Sequence, residues 1–381
     1  MQKLYKINIK NIDVLIVDEV GSEWIRHCIP SCYSVGVLKI RGVVPYFRKM
    51  SFYLFLFKRI VKLGIKYKAL ISAIIDETKP RAIITFVDNN RLLGDLNEIF
   101  PNKLVISVQN GFRTDSEYDN VGQWDNDYKF PHYFGFGDYA HELMISKDVQ
   151  IKKYYLAGSL KMGLFLSKYR KKADRPTEEI NICFVSQQKY RPNSQLLHSS
   201  IIYQYEKMTK DIYLNLTLWS EKNKSKVTVA MVNSKDTEGY DHELTYYQDI
   251  IDSKNITFQE NTKNDLTSYQ VGVDSRVIVS VISTLGFELF GCGVRVLFCG
   301  IANSNLTKKF GLGNSFRKIP ECVLLNDLTQ ESFNAKMDAL LRMDNKEYLS
   351  LTQEARSYYV KCEKPYAHEQ IFEIIDNFCK S

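Results

Sequence analysis

Short apolar runs recur along the chain, each closed by a polar or glycine-containing turn, and between them lie stretches with apolar residues at helical spacing. The clearest example is 277–300. It opens with Val-Ile-Val-Ser-Val, passes through Ser283-Thr284 into Leu-Gly-Phe-Glu-Leu-Phe, stops at Gly-Cys-Gly, and ends in Val-Arg-Val-Leu-Phe-Cys-Gly. The β-branched ends fit strands buried on both faces, so the two are expected to run parallel with a short helix between them. Ser283 or Thr284 can cap that helix, and Gly291 or Gly293 can end it. The run between Arg276 and Arg295 approaches the length of a membrane span, but Glu288 near its middle and the Gly-Cys-Gly break argue against a spanning helix.

The same alternation fills both halves. Strands are expected at 12–17, 35–40, 81–86, 103–108, 133–137 and 154–157, with helices over 70–77 and 91–99. The second half restarts with a strand at 180–185, a helix over 194–210, a strand at 226–232, a helix over 241–251 and a strand at 256–258. After the 277–300 unit come a last strand at 323–325 and helices over 331–379. Each half holds enough strand–helix alternations for a doubly wound α/β domain. The charged stretch 168–179, with Pro176 in it, is the expected linker. The expected division is 1–167, 176–355, and a terminal helix over 356–381 that packs back toward the first domain. A length of 381 residues suits two domains, each with its own core.

Composition narrows the partners. A net charge of +7 suits a phosphate-bearing ligand or an anionic membrane surface. The basic residues are scattered, with no arginine-rich tract or zinc-finger spacing, so nucleic acid is not an expected partner. The region 46–68 interleaves Phe, Tyr and Leu with Lys58, Arg59, Lys62 and Lys66 at helical spacing. Such a stripe either packs on its own domain or lies on a membrane surface. The eight cysteines sit mostly in apolar runs and form no CxxC pair, so reduced thiols in a cytoplasmic protein are expected.

Candidate chemistry gathers in the polar clusters just past strands. These are Asp88-Asn89, Gln109-Asn110-Gly111, Gly158-Ser159, Ser186-Gln187 and Ser283-Thr284. Open α/β sheets bind ligands at that edge. The GxGxxG fingerprint, the P-loop, HExxH and GxSxG are all absent, which disfavours NAD enzymes, P-loop ATPases, zinc hydrolases and α/β-hydrolases. Ser283-Thr284 offers two hydroxyls at a helix N-terminus, an anion site favoured by about 0.3–2 kcal/mol. Glu288 lies about one turn further on and can accept hydrogen bonds from a ribose or sugar hydroxyl.

The run Asp88-Asn89-Asn90, Val-Gln-Asn-Gly at 108–111, Ala-Gly-Ser at 157–159, Val-Ser-Gln at 185–187 and Ser-Thr-Leu-Gly-Phe-Glu at 283–288 resembles the bacterial surface-carbohydrate proteins of GT-B fold. The group is similar to capsule and lipopolysaccharide glycosyltransferases, including Kdo- and sialic-acid-type enzymes. The resemblance implies two Rossmann-like doubly wound α/β domains facing across a cleft. It also implies transfer of a sugar from a nucleotide-sugar donor, such as CMP-Kdo or a related CMP-sugar, to a glycan or glycolipid acceptor. The His-Pro dipeptide of the CMP-sialic-acid enzymes is absent here.

On that reading the donor meets Ser186, Gln187, Glu243, Ser283, Thr284 and Glu288. A carboxylate among Asp88, Asp115 and Glu117 acts as base, nucleophile or charge stabiliser. Asn89, Gln109, Asn110, Gly111, Arg113, Gly158 and Ser159 line the acceptor side or cleft. No metal or other cofactor is required, and peripheral contact with the inner face of the membrane fits the basic aromatic region. The rival expectations are a CDP-polyol-phosphate transferase, a nucleotide-sugar epimerase on the same fold, and a non-enzymatic membrane-associated scaffold of polysaccharide assembly.

Overall fold

The computed structural model describes residues 3–6, 11–46, 49–64, 66–89, 92–114, 128–169, 180–188, 200–262, 265–300 and 312–381. The chain forms two compact units. The first comprises Met1–Gly111, Val121–Leu164 and Glu363–Ser381, and the second comprises Phe112–Asn120 and Phe165–Cys362.

In the first unit the strands are β1 (Lys3–Lys6), β2 (Val14–Val17), β3 (Val35–Leu38), β4 (Val43–Tyr46), β5 (Ala82–Thr85), β6 (Leu104–Val108), β7 (Lys129–Phe130), β8 (His132–Gly135), β9 (Gln150–Ile151) and β10 (Tyr154–Leu156). Its helices are α1 (Ser22–Arg26), α2 (Met50–Leu63), α3 (Tyr67–Thr78), α4 (Leu92–Ile99) and α5 (Asp138–Ser146), and α6 (Leu160–Lys168) starts in it and passes into the second unit after Leu164. Six strands make one sheet in the order β10-β8-β6-β5-β2-β3. All its pairings are parallel. This is a doubly wound order, with its reversal between β2 and β5. The strands Val-Leu-Ile-Val and Ala-Ile-Ile-Thr are buried along their whole length, as a sheet covered on both faces requires.

The second unit carries β11 (Asn181–Val185), β12 (Lys226–Ala230), β13 (Ile256–Gln259), β14 (Val277–Ser280) and β15 (Val296–Phe298). Its helices are α7 (Ser200–Lys222), α8 (Glu238–Gln248), α9 (Thr267–Asp274), α10 (Thr284–Gly291), α11 (Leu312–Ser315), α12 (Gln330–Arg342) and α13 (Asn345–Tyr359). The sheet order is β13-β12-β11-β14-β15, again all parallel. Read in chain order this is 3-2-1-4-5, a Rossmann half with its reversal between β11 and β14. The expected strand, helix and parallel strand across 277–300 are all present. The last helix, α14 (Ala367–Lys380), belongs to the first unit. There Tyr33 Oη donates to Asp376 Oδ1 at 3.0 Å and Arg81 Nη2 donates to the Phe378 carbonyl at 3.4 Å.

Several details differ from expectation. Two cysteines are not reduced: Cys292 and Cys362 form a disulfide across 70 residues. Cys292 caps the C-terminus of α10 and Cys362 follows α13. The packing of these two helices brings the thiols together, and sequence spacing carries no trace of it. The strand expected at 323–325 is a 3-10 turn, Glu321–Val323, followed by a single parallel bridge from Leu324 to Phe298. The strand Lys3–Lys6, which pairs with β4, has no long apolar run to announce it. The expected linker lies almost wholly outside the described residues.

Candidate functional site

The second unit's switch point brings two of the predicted clusters together. Ser186-Gln187 leaves the carboxyl end of β11, and Ile282-Ser283-Thr284 leaves that of the adjacent β14. Gln187 Oε1 accepts the Ile282 backbone N–H at 2.8 Å, so the two loops are tied directly. Ser280 Oγ accepts from Ser283 N at 3.4 Å, which draws the loop down onto the strand. Gly286, in the first turn of α10, permits that approach. A Cβ there would stand 2.4 Å from Ser280 Oγ.

Ser283 occupies the N-cap position with extended backbone, yet its side chain makes no capping bond. Thr284 Oγ1 accepts from the Phe112 backbone N–H at 3.0 Å. The Phe112 ring lies flat on Phe287, with centroids 3.5 Å apart. A hydroxyl has one proton to give, and an oxygen that already accepts one bond keeps that proton for another acceptor. Ser283, Thr284 and Leu285 are half-buried. The arrangement is therefore two orientable hydroxyls beside the unpaired N–H groups and positive dipole end of a helix, which suits a phosphate or another anion.

The two glutamates of the second unit lie deeper. Glu243 is fully buried on α8. It accepts from Ser186 Oγ, from Val232 N at 3.0 Å, and from Asn233 N and Nδ2 at 2.9 and 2.7 Å. Tyr247 Oη is 2.9 Å from the same Ser186 oxygen. Burial pushes the Glu243 carboxyl up, against the pull of these hydrogen bonds. Glu288 is buried too, and its Oε2 accepts the Tyr269 hydroxyl at 2.8 Å. Burial and this carboxylate together raise Tyr269 well above the ordinary tyrosine range. The sequence suggests that Glu288 or Glu243 meets the ribose or base of a donor. In the structure Glu243 ties the ends of β11 and β12 from beneath, and Glu288 binds α10 to α9.

In the first unit Asp88 is fully buried and accepts from Tyr133 Oη at 2.8 Å. Asn89 is exposed, and its carbonyl accepts from Tyr128 Oη at 3.4 Å. Gln109 is buried and works as a clamp. Its Nε2 donates to the Gly111 carbonyl at 2.8 Å, and its Oε1 accepts from Phe136 N at 2.8 Å. Asn110 is half-buried and Gly111 buried. Gly158, with φ of 77°, donates to the Gly135 carbonyl at 3.1 Å. Ser159 Oγ accepts from Met162 N at 3.3 Å and so caps α6. Arg113 is half-buried in the short segment that belongs to the second unit. Asp115 and Glu117 lie outside the described residues.

Sequence reasoning passed over Asp18. It follows β2 at the first unit's own switch point, buried, with φ of 79°. It accepts from Arg41 Nε at 2.7 Å and from Val20 N at 3.1 Å. The acidic pair Asp18-Glu19 directly after a four-residue apolar strand was the available signal.

Residues 106–366 match the family described as "putative O-antigen biosynthesis protein". The chain belongs to this family. That places it in surface-carbohydrate biosynthesis. No curated protein matches its sequence. Among solved structures it is similar to MnaA of S. aureus with UDP, at 12% identity and a TM-score of 0.56, covering 98% of this chain and 96% of that one. It is similar to the UDP-GlcNAc 2-epimerase of Methanocaldococcus jannaschii in complex with UDP-GlcNAc and UDP, at 11% identity and a TM-score of 0.55, covering 98% and 99%. It is also similar to the wall teichoic acid polymerase TagF, at 10% identity and a TM-score of 0.54, covering 98% and 90%. At these identities the likeness concerns the fold, which is GT-B-like, with two Rossmann-like α/β units. Among the described residues no helix is long and apolar enough to cross a membrane.

Proposed function

We propose that this protein is a glycosyltransferase that moves a sugar from a nucleotide-sugar donor to a surface-polysaccharide or lipopolysaccharide acceptor. The observation that carries the reading is the bond from Ile282 N to Gln187 Oε1 at 2.8 Å. It fixes the Ser283-Thr284 loop at the switch point, where a doubly wound sheet receives its ligand. The donor diphosphate or phosphate lies against the α10 N-terminus. Ser283 and Thr284 donate to it, and their bonds strengthen as the leaving group gathers charge. With that charge met by hydroxyls and backbone N–H groups, the scheme requires no resident metal. Glu243 positions Ser186 and the 232–233 backbone, and Glu288 holds α10 through Tyr269. The base or nucleophile is drawn from Asp88, Asp115 and Glu117.

CMP-Kdo is the donor that the sequence resemblance implies, and CDP-polyols are the related alternative. The UDP and UDP-GlcNAc complexes of the structural neighbours support a second reading, a nucleotide-sugar epimerase. Thermal-shift measurements with CMP, CDP, UDP and GDP identify the nucleotide. The replacement Ser283→Ala/Thr284→Ala should then weaken that nucleotide at least about tenfold, because each hydrogen bond to a charged group is worth roughly 1.5–3 kcal/mol. Its turnover should fall as well. A folded double variant with wild-type affinity and turnover would reduce the pair to a helix start and sink the site. Nucleotide release that depends on added acceptor marks the transferase; a changed sugar still attached to its nucleotide marks the epimerase.

A further inference from the structure

Helix α2 presents three faces. At about 100° per residue, Phe52, Phe55, Leu56, Arg59 and Leu63 fall on one side. Phe52 is buried there, and Phe55 and Leu56 pack against the apolar core of the first unit. Arg59 on that side is tied to Asp76 by bonds of 2.7 and 2.9 Å. The opposite side is apolar and open. Met50, Tyr53, Leu54, Phe57 and Val61 follow one another at helical spacing, and Phe57 and Val61 are 67% and 72% exposed. They occupy an arc of roughly 120°, about 16 Å long at 1.5 Å per residue. On its edge stand Lys58 and Lys62, both exposed and in no ion pair among the described residues. Lys66 is exposed just beyond the helix end. The helix itself contains no Asp or Glu.

Soluble chains rarely leave a continuous apolar stripe of this kind to water. We infer that α2 lies in the surface of an anionic phospholipid bilayer, its Tyr53-Leu54-Phe57-Val61 face among the acyl chains and Lys58, Lys62 and Lys66 at the headgroup phosphates. The charge pattern selects this occupant. A second copy of the chain would set the same lysines against one another, whereas an anionic lipid surface neutralises them. Tyr53, amphipathic and half exposed, suits the boundary between the two layers. The hydrophobic stripe and the basic edge are both needed, because either alone gives weak attachment.

The test uses the full chain without nucleotide, so its outcome is independent of the transferase reading. Sedimentation with vesicles of phosphatidylglycerol and phosphatidylcholine in equal parts should capture the protein, and pure phosphatidylcholine should bind it at least about tenfold more weakly. Leu54→Ser/Phe57→Ser should abolish capture with unchanged melting, because both side chains are already exposed. Lys58→Glu/Lys62→Glu should abolish the preference for phosphatidylglycerol. Phe57→Trp reports the face directly: its emission should shift to the blue on anionic vesicles and be quenched by bromine-labelled acyl chains. Failure of the wild type to bind anionic vesicles overturns the inference, as does binding indifferent to all these replacements. A wild-type dimer in analytical ultracentrifugation that Leu54→Ser/Phe57→Ser turns into a monomer would give the stripe to a second copy and overturn it equally.

Discussion

At the scale of single residues, the switch-point loop depends on a side chain that is missing. Gly286 places the first turn of α10 so close to β14 that an added Cβ would lie 2.4 Å from Ser280 Oγ and 2.8 Å from Ser280 Cβ. Ser280 is fully buried, so it has no free direction in which to yield. Gly286→Ala should therefore lower stability by about 1–3 kcal/mol, read from denaturant unfolding, and Ser280→Gly in the same chain should recover part of it. Wild-type unfolding of Gly286→Ala would show that helix and strand can part without cost. This contact was not legible in the sequence, where Gly286 is one letter in an apolar run. Nor was the bond between Thr284 and Phe112, which lie 172 positions apart. The two hydroxyls themselves were legible, because a polar pair between a β-branched run and a helical pattern has few other places to be.

At the scale of elements, the strands read easily because they are buried on both faces. Val14–Val17 is apolar throughout, Ala82–Thr85 and Val277–Ser280 are apolar up to a closing Thr or Ser, and a parallel sheet demands such runs. The loops between elements read poorly, because their partners come from other elements. Glu243 shows this: it looked like a ligand-binding carboxylate, and its four donors are Ser186, Val232 and both nitrogens of Asn233. Burial raises its carboxyl above the ordinary glutamate range. The folded state therefore holds its proton more tightly than the unfolded chain does. That contribution to stability is complete below the unfolded value and is lost as pH rises through the raised folded one. Glu243→Gln removes the titration, so its melting temperature should depend less steeply on pH across that window. An amide nitrogen would also face a backbone N–H, so the variant should start about 1–3 kcal/mol less stable at the acid end. Parallel pH profiles for the two proteins would show that Glu243 does not carry the effect.

At the scale of the whole molecule, the alternation of strands and helices was enough to predict two doubly wound units, but the path of the chain through them was not. Phe112–Asn120 joins the second unit from within the first half, and Glu363–Ser381 returns to the first. The disulfide from Cys292 to Cys362 closes at the last residue of the second unit, immediately before that return. The returning helix α14 has an amphipathic pattern that announces burial without naming the surface that buries it. Ile371 and Ile375 are fully buried, and the bonds from Tyr33 to Asp376 and from Arg81 to the Phe378 carbonyl anchor the helix within the first unit. Truncating a buried isoleucine to alanine removes apolar contact and leaves a cavity, at a cost of about 2–5 kcal/mol. Because the helix belongs to the first unit, Ile375→Ala should act there. Hydrogen exchange should quicken in Val14–Val17 and Ala82–Thr85, whereas Asn181–Val185 and Val277–Ser280 should keep their wild-type protection. Equal loss of protection in all four strands would mean that the two units unfold as one, and that the terminal helix stabilises the molecule as a whole rather than the unit it joins.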